Sequence, residues 1–310
     1  MIKEIADEKP SLSKRPPIFK QEDELRTIDI APTEKNWIRV ALVQLSYQLS
    51  FNRPPREFGY KLLQREEVKT KLFKALNFAN ENKVDIICFP ELCINEEWIT
   101  EIRNKYSNLI VIFGSYYTNA FNRCPIIIEG QDYYIQKINP SPHSEKDVTK
   151  GRCMKRGKER IIFQTRYGRF VVLICQDFYG EINNIIYKLD KEGSFVDFVF
   201  VPARNRASEL YQKRADQVCQ DDNFPFIFIS NALEVNDEKA GGTCIIGTDH
   251  NGALKRYQNE GWKPKDEIKY KLLEAKGESV IVADLDIKTK GVRVPPRDFK
   301  MRNPMIYKIT

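Results

Sequence analysis

Short apolar segments alternate with amphipathic helical segments along most of this chain, from Trp37 onward. The segment 38–45 predicts a strand, and 66–81 predicts a helix because its apolar residues recur at helical spacing. Residues 126–136 and 161–175 each predict two strands joined by a turn. Strands that alternate with helices indicate an α/β architecture, and the hairpins argue against a purely parallel sheet. We expect two mixed sheets, each covered by helices on its outer face.

The first 36 residues differ from the rest of the chain. They contain four prolines, mixed charges and little apolar periodicity. We interpret residues 1–36 as an N-terminal extension that is partly flexible or lies along the surface, and residues 37–310 as one domain. The extension has no apolar stretch typical of signal peptides, and apolar runs elsewhere are too short to span a bilayer. We therefore expect a cytoplasmic protein with no membrane partner.

Composition limits the chemistry that this chain can perform. Its seven cysteines are an odd number that cannot all pair, which favours free thiols in a reducing compartment. Two histidines, His143 and His250, are too few for a histidine-rich site, so we expect no metal. The formal net charge is +7, a small excess that does not by itself indicate nucleic-acid binding.

Two strand-like segments end in a charged residue suited to catalysis. Residues 88–93 (CFPELC) lead an apolar strand into a proline and then Glu91, a good position for a general base. Taken alone, such a glutamate is more often a helix cap or a solvated acid. Lys137 ends the alternating segment 133–137, where its ammonium can face developing negative charge. The usual alternative is an ordinary exposed lysine.

A cysteine ends a third strand-like segment. Residues 170–177 (FVVLICQD) form an apolar run that reaches Cys175, followed by a break and a helix that contains Ile182. A thiol at such a strand-to-helix elbow is exposed at its tip and backed by a rigid sheet, and its thiolate is a nucleophile. The alternative is a buried structural cysteine, which is the commonest role of a free cysteine.

The order glutamate, lysine, cysteine, each at the end of a strand, resembles the nitrilase superfamily. These carbon–nitrogen hydrolases use a Glu–Lys–Cys triad. Over roughly residues 37–310, further segments follow the order of that family. The segments that resemble it are residues 43–45, 89–91, 134–137 with Glu145 following, 173–177, Asn231, 242–246 with Asn251-Gly252, and 302–307.

The chain departs from the family pattern at the elbow. The family often has an aromatic residue after the cysteine, whereas this chain has Gln176. The family often has Arg-Phe-Pro-Glu shortly afterwards, whereas this chain has Phe178-Tyr179-Gly180-Glu181. The three triad positions are intact, so the departure puts the substrate in doubt rather than the activity.

The resemblance implies a four-layer α-β-β-α sandwich and a thioester mechanism. In it, Glu91 takes the thiol proton of Cys175, which attacks an amide, a carbamoyl group or, less favoured, a nitrile. Lys137 and the backbone N–H of Gln176 stabilise the tetrahedral anion, and Glu145 is an auxiliary acid that orients Lys137. The resemblance implies no cofactor, a small amide-like substrate, and a homodimer or higher homo-oligomer.

A basic segment lies between the lysine and the cysteine. Residues 145–160 contain seven basic and three acidic residues. We identify Lys150, Arg152, Lys155 and Arg156 as candidate binding residues for an anionic substrate or partner, nucleic acid included. The alternative is a solvated loop, which is the usual state of a charge run.

Two classes of function therefore stay open. The first is a free-standing hydrolase of a small amide-like substrate. The second is an interaction or assembly module within a larger multi-protein system, such as a bacterial defence system or a synthetase, with an anionic or nucleic-acid partner. The intact triad favours the hydrolase.

Overall fold

The structure is a computed structural model that describes residues 24–30, 36–52, 58–142, 145–147, 152–220, 225–233, 241–247, 271–287 and 301–309. The strands in these residues are β1 (Glu24–Asp29), β2 (Trp37–Gln44), β3 (Leu49–Asn52), β4 (Gly59–Leu62), β5 (Ile86–Cys88), β6 (Ile110–Ile112), β7 (Tyr116–Thr118), β8 (Phe121–Ile128), β9 (Gln131–Gln136), β10 (Lys146–Asp147), β11 (Arg152–Cys153), β12 (Glu159–Thr165), β13 (Gly168–Val172), β14 (Phe198–Ala203), β15 (Phe226–Asn231), β16 (Cys244–Ile246), β17 (Lys271–Glu274), β18 (Ser279–Asp286) and β19 (Met301–Lys308). The helices are α1 (Arg65–Glu81), α2 (Ile99–Lys105), α3 (Gln176–Lys191) and α4 (Ser208–Gln220), and a 3-10 turn (Glu96–Trp98) precedes α2.

Most strands belong to two large mixed sheets. Sheet A has the order β1-β12-β13-β14-β15-β16-β17, and its strands β13, β14 and β15 are parallel. Sheet B has the order β19-β18-β2-β5-β6-β8-β7, with β9 also paired to β8. Strands β2, β5 and β6 are parallel, and β9 runs in their direction because two antiparallel pairings separate it from β6. The carboxyl ends of β5, β6 and β9 therefore share one edge of sheet B.

Side chains alternate between the two faces of each sheet, as expected for strands buried on both sides. In β2, Val40 and Leu42 belong to the core that sheet B shares with sheet A, whereas Ala41 and Val43 pack with α1 residues such as Leu72. Residues of α3 and α4 complete the core on the other side of sheet A. The layers are therefore helix, sheet B, sheet A and helix, which confirms the expected four-layer sandwich.

Hydrogen bonds join the two sheets at the edge where β5 and β15 end. The Ser230 hydroxyl lies 2.7 Å from the carbonyl oxygen of Val43 and 3.1 Å from that of Cys88. The N–H of Leu233 donates to the carbonyl of Leu45. These bonds connect residues in or directly after strands of both sheets, so this edge of the sandwich is held together.

The ends of the chain contribute strands at the sheet edges. Glu24–Asp29, within the segment that we interpreted as an N-terminal extension, pairs in parallel with β12 at the edge of sheet A. Met301–Lys308 pairs with β18 at the edge of sheet B. Among the described residues, no helix is both long and apolar enough to cross a membrane.

Candidate active site

Glu91 follows β5 on a turn that is packed tightly from behind. Gly114 lies against this turn so closely that a Cβ atom there would be 1.7 Å from the carbonyl oxygen of Pro90. The N–H of Glu91 donates to the carbonyl of Ala203 at the end of β14, and the hydroxyl of Tyr47 donates to the carbonyl of Glu91. The turn is thus fixed to both sheets.

Lys137 follows β9 and is the link between two carboxylates. Its Nζ lies 2.8 Å from Oε1 of Glu91 and 2.8 Å from Oε2 of Glu145. All three side chains are buried, with Lys137 only 1% exposed. The Lys137 N–H donates to the carbonyl of Asn122, so the backbone is also held. The structure thus brings together three residues that the sequence analysis identified separately.

Further donors fix the two carboxylates. The Asn122 amide donates to Oε1 of Glu91 at 2.9 Å and to Oε1 of Glu145 at 3.0 Å. The Tyr117 hydroxyl donates to Oε1 of Glu145 at 2.6 Å, and the N–H of Ser141 donates to Oε2 at 2.7 Å. Glu145 therefore receives several hydrogen bonds in addition to that from the ammonium of Lys137.

This arrangement favours the charged forms of Lys137 and Glu145. Burial alone would lower the pKa of Lys137, but the adjacent Glu91 and Glu145 carboxylates hold that pKa well above its usual value. Burial would likewise raise the pKa of Glu145, but the Lys137 charge and the donated hydrogen bonds hold it below its usual value. The site therefore keeps a buried ammonium charged at neutral pH.

Cys175 lies at a strand-to-helix elbow, as predicted. Its backbone has φ 48° and ψ −107°, and its N–H donates to the carbonyl of Pro202. Gln176 is the first residue of α3, so its N–H belongs to the first turn, whose donors have no partner within the helix. A positive φ is uncommon for a residue with a side chain and requires the surrounding structure to hold it.

The thiol of Cys175 is protonated at neutral pH in the free site. Burial and the negative charge of Glu91 raise the pKa of this thiol to about 12, although Lys137 and hydrogen bonds lower it in part. Only 6% of this residue is exposed, so the expectation of a thiol that is exposed at its tip is wrong. Because the thiolate is the reactive form, the cysteine needs a base at the moment of attack.

A buried ionic cluster connects the elbow to the lysine strand. Asp177 accepts the N–H groups of Ile138 and Asn139, which directly follow Lys137. Nη2 of Arg160 lies 3.8 Å from carboxylate oxygens of both Asp177 and Glu181. Asp177 in α3 thus holds the end of β9 in a fixed position relative to Cys175.

The structure describes the side chains of two of the four candidate binding residues in the basic segment. Lys155 lies over the ring of Phe121, and Arg156 donates from Nε to the carbonyl of Ile138 at 2.9 Å. For Arg152 the structure describes only the backbone, in β11, and Lys150 lies outside the described residues. Binding of an anion by these four residues stays a prediction.

Three site residues escaped the sequence analysis. Asn122 and Tyr117 lie in β8 and β7, inside or beside the hairpin strands that precede β9, and contact Glu145. Tyr211 lies in α4, with its hydroxyl 3.4 Å from the Sγ of Cys175. In β8, Asn122 stands next to Arg123, so no local signal in the sequence marks its amide as buried. Tyr211 fits the apolar face of α4 and gives no such signal either.

Within the described residues, no three His, Cys, Asp or Glu side chains are placed to hold a metal ion together. What the site offers chemically is a nucleophilic sulfur, two carboxylates and a fixed ammonium.

Comparisons with known proteins identify the fold. The yeast protein Nit3, from Saccharomyces cerevisiae and described as a member of branch 10 of the nitrilase superfamily, has a TM-score of 0.55 to this chain at 16% identity. The match covers 86% of this chain and 100% of that one. This chain has the nitrilase fold. No family model matches the sequence, and no curated protein sequence matches it.

Two other solved structures share the fold. A variant of the amidase from Nesterenkonia sp. AN1, with the acetamide moiety of fluoroacetamide added covalently at its active-site cysteine, has a TM-score of 0.52 at 14% identity. That match covers 83% of this chain and 93% of the amidase. The glutamine-dependent NAD+ synthetase from Acinetobacter baumannii has a TM-score of 0.53 at 21% identity over 84% of this chain. This chain spans about half of the synthetase, with 48% of it covered.

Proposed function

We propose that this protein is a thiol hydrolase that cleaves the C–N bond of an amide or carbamoyl group through a thioester on Cys175. The observation that carries the proposal is a cysteine on a strand-to-helix elbow that interacts electrostatically with a buried ammonium held between two carboxylates. The nitrilase fold supports it, since the Nesterenkonia amidase of that fold is modified at an active-site cysteine. Nitriles are a less favoured substrate class.

In the acylation step, Glu91 takes the proton of the Cys175 thiol while the sulfur attacks the carbonyl carbon. The carbonyl electron pair moves to oxygen, and the ammonium of Lys137 with the N–H of Gln176 stabilises this anion. Loss of one such donor typically slows catalysis about 10²–10³-fold. When the anion collapses, the C–N bond breaks and Glu91 returns the proton to the departing amine or ammonia.

In the deacylation step, Glu91 takes a proton from water, and the resulting hydroxide adds to the thioester carbon. Collapse of this second anion breaks the C–S bond and returns the electron pair to sulfur. Glu91 then gives its proton to the thiolate, which restores the starting state. Glu145 holds Lys137 in place throughout, because its lowered pKa keeps the carboxylate charged at neutral pH.

Release of ammonia tests the proposal. A panel of primary amides, N-carbamoyl compounds and nitriles is incubated with the protein, and ammonia is measured over time. We expect turnover of at least one amide or carbamoyl compound, and none by a Cys175→Ala variant. The matched control is Cys219→Ala, because Cys219 is also buried but lies in α4 away from the carboxylates. Equal turnover by the Cys175→Ala variant would overturn the proposal.

A further inference from the structure

Tyr211 is a buried side chain in contact with the reactive sulfur. Its hydroxyl oxygen lies 3.4 Å from the Sγ of Cys175, within hydrogen-bond distance for a sulfur atom, and the residue is 5% exposed. The sulfur also receives a hydrogen bond from the backbone N–H of Arg204. The sulfur that attacks the substrate thus has two donors, the Arg204 N–H in the loop before α4 and the Tyr211 hydroxyl in α4.

The neighbours of Tyr211 set the direction of its hydrogen bond. The Asn205 side chain bonds the phenol, and the Oδ1 of the same amide accepts the N–H of Ala207 at 2.8 Å. Because Oδ1 is engaged by Ala207, the NH₂ group of Asn205 is the part of the amide that faces the phenol. The phenol oxygen accepts from that NH₂ group, so its own proton is available to point at the sulfur.

The loop that carries Asn205 is itself fixed to the sheet edge. The backbone N–H of Asn205 donates to Oδ1 of Asn231 at 2.8 Å, and Nδ2 of Asn231 donates to the carbonyl of Asn205 at 2.8 Å. Asn231 ends β15 and is 1% exposed. The rings of Phe178 and Tyr179 pack against the Tyr211 ring, with centroids 6.2 Å and 6.1 Å away. The phenol is therefore held from several sides.

The phenol is a donor that keeps its proton. Burial, together with the nearby Cys175 and Glu91, raises the pKa of Tyr211 well above its usual value. A phenol that resists ionisation cannot act as the base for the thiol, and that role stays with Glu91. What Tyr211 offers the sulfur is a hydrogen bond, and this bond strengthens when the sulfur becomes negative, because a charged acceptor attracts a donor more strongly.

We propose that Tyr211 is a further catalytic residue whose O–H donates to the Cys175 sulfur and stabilises its thiolate. This role rests on the proposed thioester mechanism. The thiol proton goes to Glu91, and Tyr211 gives up no proton at any step. When the C–S bond of the thioester breaks, the electron pair returns to a sulfur that already has this donor beside it. Asn205 acts through Tyr211 and is a positioning residue.

Alkylation of the thiol tests the contact without any need for turnover. Iodoacetamide is reacted with the protein in a Cys153→Ser background, because Cys153 is the exposed thiol and the other six are buried. The rate of modification at Cys175 is followed by peptide mass spectrometry at several pH values. The variant is Tyr211→Phe, which keeps the ring and removes only the hydroxyl. The control is Tyr187→Phe, in α3, where the side chain is 60% exposed.

We expect Tyr211→Phe to slow alkylation of Cys175 about threefold at each pH. Loss of one hydrogen bond to a charged sulfur should raise the pKa of the thiol by about one unit. The fraction of Cys175 present as thiolate then falls about tenfold. A more basic thiolate is about threefold more reactive for each such unit, which offsets part of this loss. Tyr187→Phe should match the parent. Identical alkylation rates for Tyr211→Phe and the parent would overturn the role of Tyr211.

Hydrolysis and a double variant complete the test. With an amide that the parent hydrolyses, Tyr211→Phe should lower kcat about threefold with little change in KM, because the same offset applies when the sulfur attacks a carbonyl carbon. Asn205→Ala should slow alkylation in the parent but have no further effect in Tyr211→Phe, since it acts through the phenol. Additive effects of Asn205→Ala and Tyr211→Phe would show that Asn205 does not act through Tyr211. The alkylation result stands whether or not an amide is hydrolysed, so failure of the hydrolase proposal is seen separately.

Discussion

Lys137 is the residue on which the electrostatics of the site depend. An isolated buried ammonium loses its hydration and tends to release its proton, so its charge needs neighbouring carboxylates. Here Glu91 and Glu145 each lie 2.8 Å away, and Asn122 donates to both. Because these partners are all buried, the charge is fixed in position before a substrate arrives. Such preorganisation is what stabilises an oxyanion most effectively.

Replacement of Lys137 by alanine should lower kcat about 10²–10³-fold, the usual loss for one oxyanion donor. KM should change much less, because the charge that Lys137 meets develops only in the tetrahedral state. Lys137→Arg should restore little, because a planar guanidinium presents its donors differently. Steady-state kinetics measure both constants, and Lys191→Ala, at the end of α3, is the control. A change confined to KM would assign Lys137 to substrate binding instead.

Glu145→Gln should destabilise the fold at neutral pH by about 2 kcal/mol, the scale of a hydrogen bond to a charged group. The pKa of Glu145 is lowered in the folded protein, so its contribution to stability is present above its unfolded pKa of about 4.3. It is lost as the pH falls through the lower folded pKa. Urea unfolding of parent and variant should therefore differ at pH 7 and converge at strongly acidic pH. A constant difference would contradict the ionised state of Glu145.

The residues that sequence reasoning found are those at strand ends, where a break in apolar pattern marks a change of direction. Glu91, Lys137 and Cys175 all have this position. Tyr211 does not, because it satisfies the apolar face of α4 and reaches the sulfur only through tertiary packing. Contacts of this kind depend on how helix and sheet meet, which no local pattern records.

At the scale of elements, the turn after β5 depends on close packing by Gly114. Gly114→Ala should push this turn outward, because the new Cβ would overlap the carbonyl oxygen of Pro90. Gly180→Ala is the matched control: Gly180 lies in α3, and the nearest atom to its Cβ would be 3.4 Å away. We expect the first change to lower both stability and kcat, and the second to stabilise by about 0.5–1 kcal/mol. Melting temperature and kcat are measured for each variant. A Gly114→Ala variant with the melting temperature and kcat of the parent would show that the turn can adapt to the extra Cβ.

The sequence predicted buried elements better than edge strands. The helix expected at 66–81 is observed at Arg65–Glu81, because five apolar residues at helical spacing face sheet B. Strands β1 and β19 were not predicted. Both lie at sheet edges, and most of their residues are exposed. Their sequences therefore show little of the apolar–polar alternation that marks a strand with one buried face. Their pairing is set by the neighbouring strand rather than by their own pattern.

At the scale of the whole molecule, the net charge of +7 concentrates partly in residues 145–160. Reversal of Lys150, Arg152 and Lys155 to glutamate should weaken binding of anionic ligands, and the loss should shrink as salt rises. Arg156 is left unchanged because it bonds the carbonyl of Ile138 beside Lys137. Binding is measured with a fluorescent single-stranded oligonucleotide and with two amides, one anionic and one neutral. Unchanged binding of every anion, insensitive to salt, would show that these three residues bind no anion.

The site needs both sheets, because Cys175 follows a strand of sheet A while Glu91 and Lys137 follow strands of sheet B. We infer that this convergence makes one thiol reactive. Labelling with fluoroacetamide, in which the sulfur displaces fluoride, measures it directly by peptide mass spectrometry. We predict that Cys175 is labelled faster than the exposed Cys153, and that Glu91→Gln and Lys137→Ala slow this labelling strongly. A Cys175 that stays unlabelled while Cys153 reacts, or that reacts equally in all variants, would show that Glu91 and Lys137 do not activate this thiol.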